Sequence, residues 1–160
     1  MIVERAEIER LVHECRLTSC LECGKCTATC PLGEVFGDVT YGHSPRGIIE
    51  KALLDADLVT NDAIWYCLTC DVCTAGCPSG VKFRDFVKAL RDLVMAAGHD
   101  EWGVRCRKCS KYFMPGITQK HIMKEVCREA EAPEFLFLCP RCRTRGFSER
   151  VKRSLPGNPK

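Results

Sequence analysis

No stretch of this chain approaches the ~20 consecutive apolar residues that a membrane-spanning helix needs. The most apolar runs, at 93–97 and 135–138, are far too short. Residues 1–15 carry Glu4, Glu7, Glu9 and Glu14, which do not suit the basic start and apolar centre of a secretory signal. A cytoplasmic protein is therefore expected. There is no Gly-x-Gly-x-x-Gly fingerprint and no Walker loop, so no phosphate-cradling turn is predicted. The histidines, His13, His43, His99 and His121, are scattered without evident partners, and surface or packing roles are expected of them. No nucleophilic triad or carboxylate pair suggests itself, which argues against catalysis by this chain itself.

What the sequence has in excess is cysteine: fourteen among 160 residues. In a secreted protein that density would mean a disulfide framework. Here no secretory leader is expected, and the gaps are the two-residue spacings of metal ligation. With 46% apolar and 28% charged residues, the chain also has the composition to build a core without staples. So many thiols imply a reducing compartment, and an anaerobic one is expected.

Eight of the cysteines form two runs of the pattern Cys-x2-Cys-x2-Cys-x3-Cys-Pro. The first is Cys20, Cys23, Cys26 and Cys30 with Pro31; the second, 47 positions on, is Cys67, Cys70, Cys73 and Cys77 with Pro78. A cubane cluster needs one thiolate on each of four irons, and cysteines three apart can wrap three corners. In such runs the fourth cysteine ligates the other cluster. The pattern thus predicts two [4Fe–4S] clusters, one held by Cys20, Cys23, Cys26 and Cys77, the second by Cys30, Cys67, Cys70 and Cys73. Small residues within the loops (Gly24, Ala28, Ala75, Gly76) let backbone amides approach the sulfides. Zinc sites built from the same cysteines fit poorly, because zinc uses pairs of ligands rather than two four-cysteine runs closed by proline.

The surrounding sequence reads as helix. Apolar positions from Ile2 to Val12 follow a loose helical period. Ser44-Pro45 is a helix start, with serine to cap and proline in the first turn, and the helix runs to about Ala56. Thr60-Asn61-Asp62 opens another helix that leads through Trp65 into the second run. From Lys82 to Ala97 the stripe Phe83, Phe86, Val87, Leu90, Leu93 and Val94 marks the clearest helix, with Gly98 as its stop. Alternating β-branched segments are absent between the runs. The fold class predicted is mainly α: an alpha-helical ferredoxin domain over residues 1–103, followed by a small metal-knuckle module over 104–160. Charge supports a boundary near Gly103, since residues 1–104 carry ten Lys/Arg against sixteen Asp/Glu and residues 105–160 fourteen against five.

The segment from Cys20 to Pro31, then Ser44-Pro45-Arg46, Ile64-Trp65-Tyr66-Cys67, Cys77-Pro78 through Lys82, and Ala89-Leu90-Arg91 resembles the C subunit of heterodisulfide reductase. The resemblance covers residues 15–95, about half the chain. It implies an α-helical ferredoxin fold related to the iron–sulfur domains of succinate dehydrogenase and glycolate oxidase. It further implies a hetero-oligomer in which this chain passes electrons between a flavin-bearing A-type subunit and a catalytic B-type subunit. The Cys-Cys-Gly motifs of the B-type subunits are absent here, so relay rather than catalysis is implied.

A second set, Cys106-x2-Cys109 and Cys139-x2-Cys142, departs from that family pattern. Two such knuckles can close a tetrahedron around zinc, and a zinc-ribbon-like site is expected, ahead of a single iron or a third [4Fe–4S] cluster. A helix is predicted from Thr118 to Glu131, followed by a polar tail rich in proline and glycine. Cys127 lies on that helix's apolar face and reads as a buried thiol, as does Cys15. The basic tail (Arg141, Arg143, Arg145, Arg150, Lys152, Arg153) admits nucleic acid as a ligand. With only Phe147 interleaved there, docking to a protein is favoured over DNA or RNA. The alternatives to an electron-transfer subunit are an iron–sulfur and zinc regulatory protein and a free-standing ferredoxin.

Overall fold

A computed structural model of the chain describes residues 3–37, 39–54, 57–99, 101–127 and 132–154. It divides into two compact units, Met1–Trp102 and Gly103–Lys160, and its architecture is mainly helical, with one two-stranded sheet in the second unit. Among the described residues no helix is long and apolar enough to cross a membrane.

In the first unit, α1 (Arg5–Glu14) opens with a capping box in which the Glu4 amide donates to the Glu7 carboxylate at 3.3 Å. It buries Leu11 and Val12 and packs against α4 and α7. Two short turns of helix, α2 (Lys25–Ala28) and α3 (Leu32–Phe36), flank Pro31. α4 (Pro45–Leu53) begins where Ser44-Pro45 predicts, with the Ser44 hydroxyl accepting the Gly47 amide at 3.1 Å. Gly47 must be glycine on packing grounds: a Cβ there would stand 2.3 Å from the Tyr41 carbonyl oxygen. Before α5 (Ala63–Tyr66) it is the Asn61 side chain that accepts an amide, from Ala63 at 2.9 Å. α6 (Val72–Ala75) lies inside the second run, and α7 (Phe83–Ala96) is the long helix of the unit, ended at Gly98 with φ +94°. Leu17, Ile48, Ile64, Phe86, Leu90 and Val94 have no exposed surface and form the core.

The predicted α7 stripe holds except in one respect: Arg91 is buried as deeply as its apolar neighbours, at 3% exposure, whereas Leu93 is only half-buried. The reason is a pair of carbonyls, one on α5 and one just after it, described below.

In the second unit β1 (Gly103–Arg105) and β2 (Tyr112–Pro115) pair antiparallel, Gly103 opposite Pro115 and Val104 opposite Met114. Their connection is the Cys106–Cys109 knuckle, closed by the Cys106 amide on Lys111 O at 2.9 Å and the Ser110 amide on Cys106 O at 2.8 Å. α8 (Gly116–Ile122) continues into a wider turn, Met123–Cys127, in which Cys127 is buried. The last element is α9 (Pro140–Ser154), fifteen residues long.

That helix stands where sequence predicted a knuckle followed by a polar tail. Pro140 suits a first helical turn, but α9 has almost no apolar stripe and carries Gly146 within it, so periodicity could not reveal it. The second cysteine pair is accordingly a helix start rather than a ribbon turn: Cys139 immediately precedes α9 and Cys142 lies in its first turn. The predicted helix positions Ile2, Ala56 and 128–131, and the tail at 155–160, lie outside the described residues.

Candidate metal centres

The two cysteine runs fold by the same backbone recipe. Glu22 and Thr69, each just before the second cysteine of its run, take left-handed conformations at φ +53° and +52°. Gly24 and Asp71, each just after that cysteine, both sit at φ +72° and start the short helices α2 and α6. Left-handed non-glycine residues cost energy and persist where the surroundings require them. Here they bend three cysteines of each run around a common point.

Each loop is then fastened to the start of a longer helix. The Thr27 hydroxyl donates to the Ser44 cap of α4 at 3.3 Å, and the Thr74 hydroxyl accepts the Arg84 amide in the first turn of α7 at 3.1 Å. Arg84 also pairs with Asp71 at 2.9 Å.

Two cavities result. One is lined by Cys20, Cys23 and Cys26 together with Cys77, Cys73 and Phe83. The other is lined by Cys67, Cys70 and Cys73 together with Cys30, Pro31 and Phe83. The first takes three thiols from the first run and two, Cys73 and Cys77, from the second; the other takes three from the second run and Cys30 from the end of the first, so that Cys73 and Phe83 border both.

Electrostatics show what these cavities lack. Burial pushes the Cys26, Cys30 and Cys67 thiols up, and it pushes Cys73 up to about 12, reinforced by Cys67, Cys30 and Cys70. Burial and mutual repulsion both disfavour the thiolate forms there. Donors nevertheless point at the sulfurs. The Thr69 amide reaches Cys67 Sγ and the Val81 amide reaches Cys77 Sγ, both at 3.4 Å. Burial raises Cys77 too, but the Ser79 hydroxyl and the amides of Val81, Ser79 and Gly80 outweigh it and leave that thiol lowered. Thiols gathered in this way, walled by apolar residues and approached by amides, fit iron–sulfur cubanes, whose negative charge such donors offset.

Residues 16–81, spanning all eight cysteines of the runs, match the family model of the 4Fe-4S dicluster domain. The chain carries a 4Fe–4S dicluster domain. Such a domain implies two [4Fe–4S] clusters and electron transfer. No curated protein matches the chain.

Arg91, on α7 beyond the matched residues, carries a role that the cysteine spacing did not reveal. Its guanidinium donates to the carbonyls of Ile64 and Cys67, the latter at 2.6 Å, and lies 5.6 Å from the centre of the Trp65 ring. Its charge lowers Cys67 against the larger effect of burial. His43, expected to lack partners, has them: its Nδ1 accepts the Thr40 amide at 3.1 Å, which puts the ring proton on Nε2, 3.5 Å from Asp62. The ring packs on Tyr66 with centroids 4.5 Å apart.

In the second unit Cys106, Cys109, Cys139 and Cys142 bring their sulfurs within 4.8 Å of one another, and Cys109 and Cys139 stand 3.7 Å apart. Two thiolates held at about 2.3 Å on one tetrahedral ion are about 3.8 Å apart, so the spacing is that of a single-ion site. The set is electrostatically divided. The Cys139, Lys108 and Cys109 amides bring Cys106 down to about 6, while burial and the other three cysteines push Cys142 up to about 12. Only a bound cation lets all four ionise.

Proposed function

We propose that this chain is the electron-transfer subunit of a heterodisulfide-reductase-like complex in the cytoplasm. It relays electrons between a flavin-bearing A-type subunit and a catalytic B-type subunit and performs no catalysis of its own. Cys20, Cys23, Cys26 and Cys77 hold one [4Fe–4S] cluster; Cys30, Cys67, Cys70 and Cys73 hold the other. What supports the crossed sets is the lining of the two cavities: Cys77 lies with Cys20, Cys23 and Cys26 in one, and Cys30 lies with Cys67, Cys70 and Cys73 in the other. The shared border of Cys73 and Phe83 argues for two clusters near enough to exchange electrons. When bound, the clusters supply one-electron redox capacity. The chain's own residues exclude water, direct amides at the sulfurs and position the thiols.

For the C-terminal set we propose zinc. Its close sulfur spacing favours one tetrahedral ion over a third cubane, which would hold the four thiolates farther apart. Zinc would also stabilise a module of fewer than 60 residues.

The test is anaerobic metal and sulfide analysis of the purified full chain, with copurification from the native host. About eight iron, eight sulfide and one zinc per chain are expected from two cubanes and one zinc site, together with a stable flavoprotein partner. Twelve iron without zinc would sink the zinc site, and a free monomer would sink the subunit role.

A further inference from the structure

The second unit has a surface feature beside the four-cysteine site, with Cys142 at its edge. Alongside α9 runs an open groove of about 640 Å3. One side is an α9 stripe of Arg143, Gly146, Arg150 and Arg153, and the other carries Arg107 and Lys108 from the knuckle and Phe135 and Leu138 before α9. Against these five cations the groove has two carboxylates, Glu134 and Glu149. Among the described residues none of the five is in an ion pair. Instead, three are held in place by uncharged groups, Arg153 through its donation to Glu149 O at 3.3 Å. Arg107 lies 3.7 Å from the centre of the Phe137 ring, and Arg143 donates to Leu138 O at 2.7 Å. Guanidiniums fixed in this way lose little entropy on meeting an anion.

From Arg143 to Arg153 the stripe extends about 15 Å at 1.5 Å per residue, the reach of a short peptide. Gly146 lies midway along it, with nothing within 4 Å of where a Cβ would stand. Phe135, 48% exposed, offers an apolar seat in the same groove. A uniform phosphate backbone would meet Glu134 and Glu149 and gain little from the apolar wall. A segment mixing carboxylates with an apolar side chain would match both. We propose that this groove is the docking site for an acidic, apolar-anchored segment of a partner protein. The inference rests on the relay role in one respect: a relay must dock the proteins it serves.

The experiment uses the cluster-loaded full chain and a fluorescein-labelled twelve-residue peptide of Asp and Glu with a central Leu-Phe pair. Comparison probes are a peptide of equal charge without the apolar pair and a single-stranded oligonucleotide of equal charge. Salt-dependent binding of the first peptide is expected, weakened at least tenfold by R150E/R153E and severalfold by Phe135→Ser. Iron, zinc and visible absorption should remain unchanged in both variants, all three positions being exposed. Tighter binding of the oligonucleotide, equal binding of the two peptides, or insensitivity to R150E/R153E would overturn the proposal. So would self-association of the chain abolished by R150E/R153E, since a second copy would then be the occupant. Iron and sulfide content is read separately, so failure of the groove leaves the relay role standing, and the reverse also holds.

Discussion

The Arg91 guanidinium, buried within α7, donates to the carbonyl of Cys67 at 2.6 Å. One side chain thereby ties the long helix to the first cysteine of the second run. Because it also holds the Ile64 carbonyl, it keeps α5 and the run in register. Replacing it with methionine keeps much of the apolar stem but abandons two buried acceptors. Hydrogen bonds from charged donors contribute ~1.5–3 kcal/mol each, so Arg91→Met should lose about 3 kcal/mol. Anaerobic thermal melting of the loaded chain measures this. The lost positive charge should also lower the potential of the cluster we assign to Cys67, read by redox titration; an unchanged potential would limit Arg91 to a structural role.

Crossed ligation makes an asymmetric forecast. Cys77→Ser should damage the cluster bound to the first run, although residue 77 belongs to the second. Cys30→Ser should do the opposite. Electron paramagnetic resonance of each reduced variant should show one intact and one altered signal, with about half the iron at risk, one cubane of two. Damage confined to the run that contains the substitution would refute the crossing.

The start of α4 borders both cavities, through Pro45 in one and Arg46 in the other. Removing its cap by Ser44→Ala should cost about 1 kcal/mol. Gly47→Ala should cost more, about 1–3 kcal/mol, since its Cβ would collide with backbone rather than with a yielding side chain. Denaturant titration under anaerobic conditions ranks the two; a milder Gly47→Ala would contradict the close approach of Tyr41.

Metal uptake by the C-terminal set should release protons. Cys142, pushed up to about 12, is a thiol at neutral pH and must ionise to ligate. Cys106, brought down to about 6, is already a thiolate there. Zinc affinity should therefore rise with pH across the neutral range. Calorimetry of zinc binding in buffers of different ionisation enthalpy counts the protons, and none released at pH 7 would contradict the assignment.

Much of the first unit could be read from its sequence, because its signals are local. Ser44-Pro45 marks a helix start that needs no tertiary context, and the α7 stripe from Phe83 to Val94 is period and apolarity together. The paired runs carry their chemistry in spacing alone. Arg91 was different: it belongs to the segment that carries the resemblance, but nothing in the spacing gives it a partner. Only folding reveals the carbonyls of Ile64 and Cys67 that repay its burial. His43 likewise acquires Thr40 and Asp62 as partners only through the turn at 40–43. α9 escaped because a helix of arginines with Gly146 within it has no periodic apolar face. Its groove escaped with it, since Phe135 and Arg107 are brought beside α9 only by folding.

The joining of Cys30 with the second run, and of Cys77 with the first, bears on how such a chain comes into being. As it leaves the ribosome, Cys20, Cys23 and Cys26 emerge well ahead of Cys77. A crossed first cluster would remain one ligand short until 47 further residues past Cys30 had been synthesised. Iron delivered early would have an open corner, exposed to oxygen and to exchange. Maturation of the two centres is then a single late event, and a truncated product lacking Cys77 would complete neither its own first centre nor a useful path through the second.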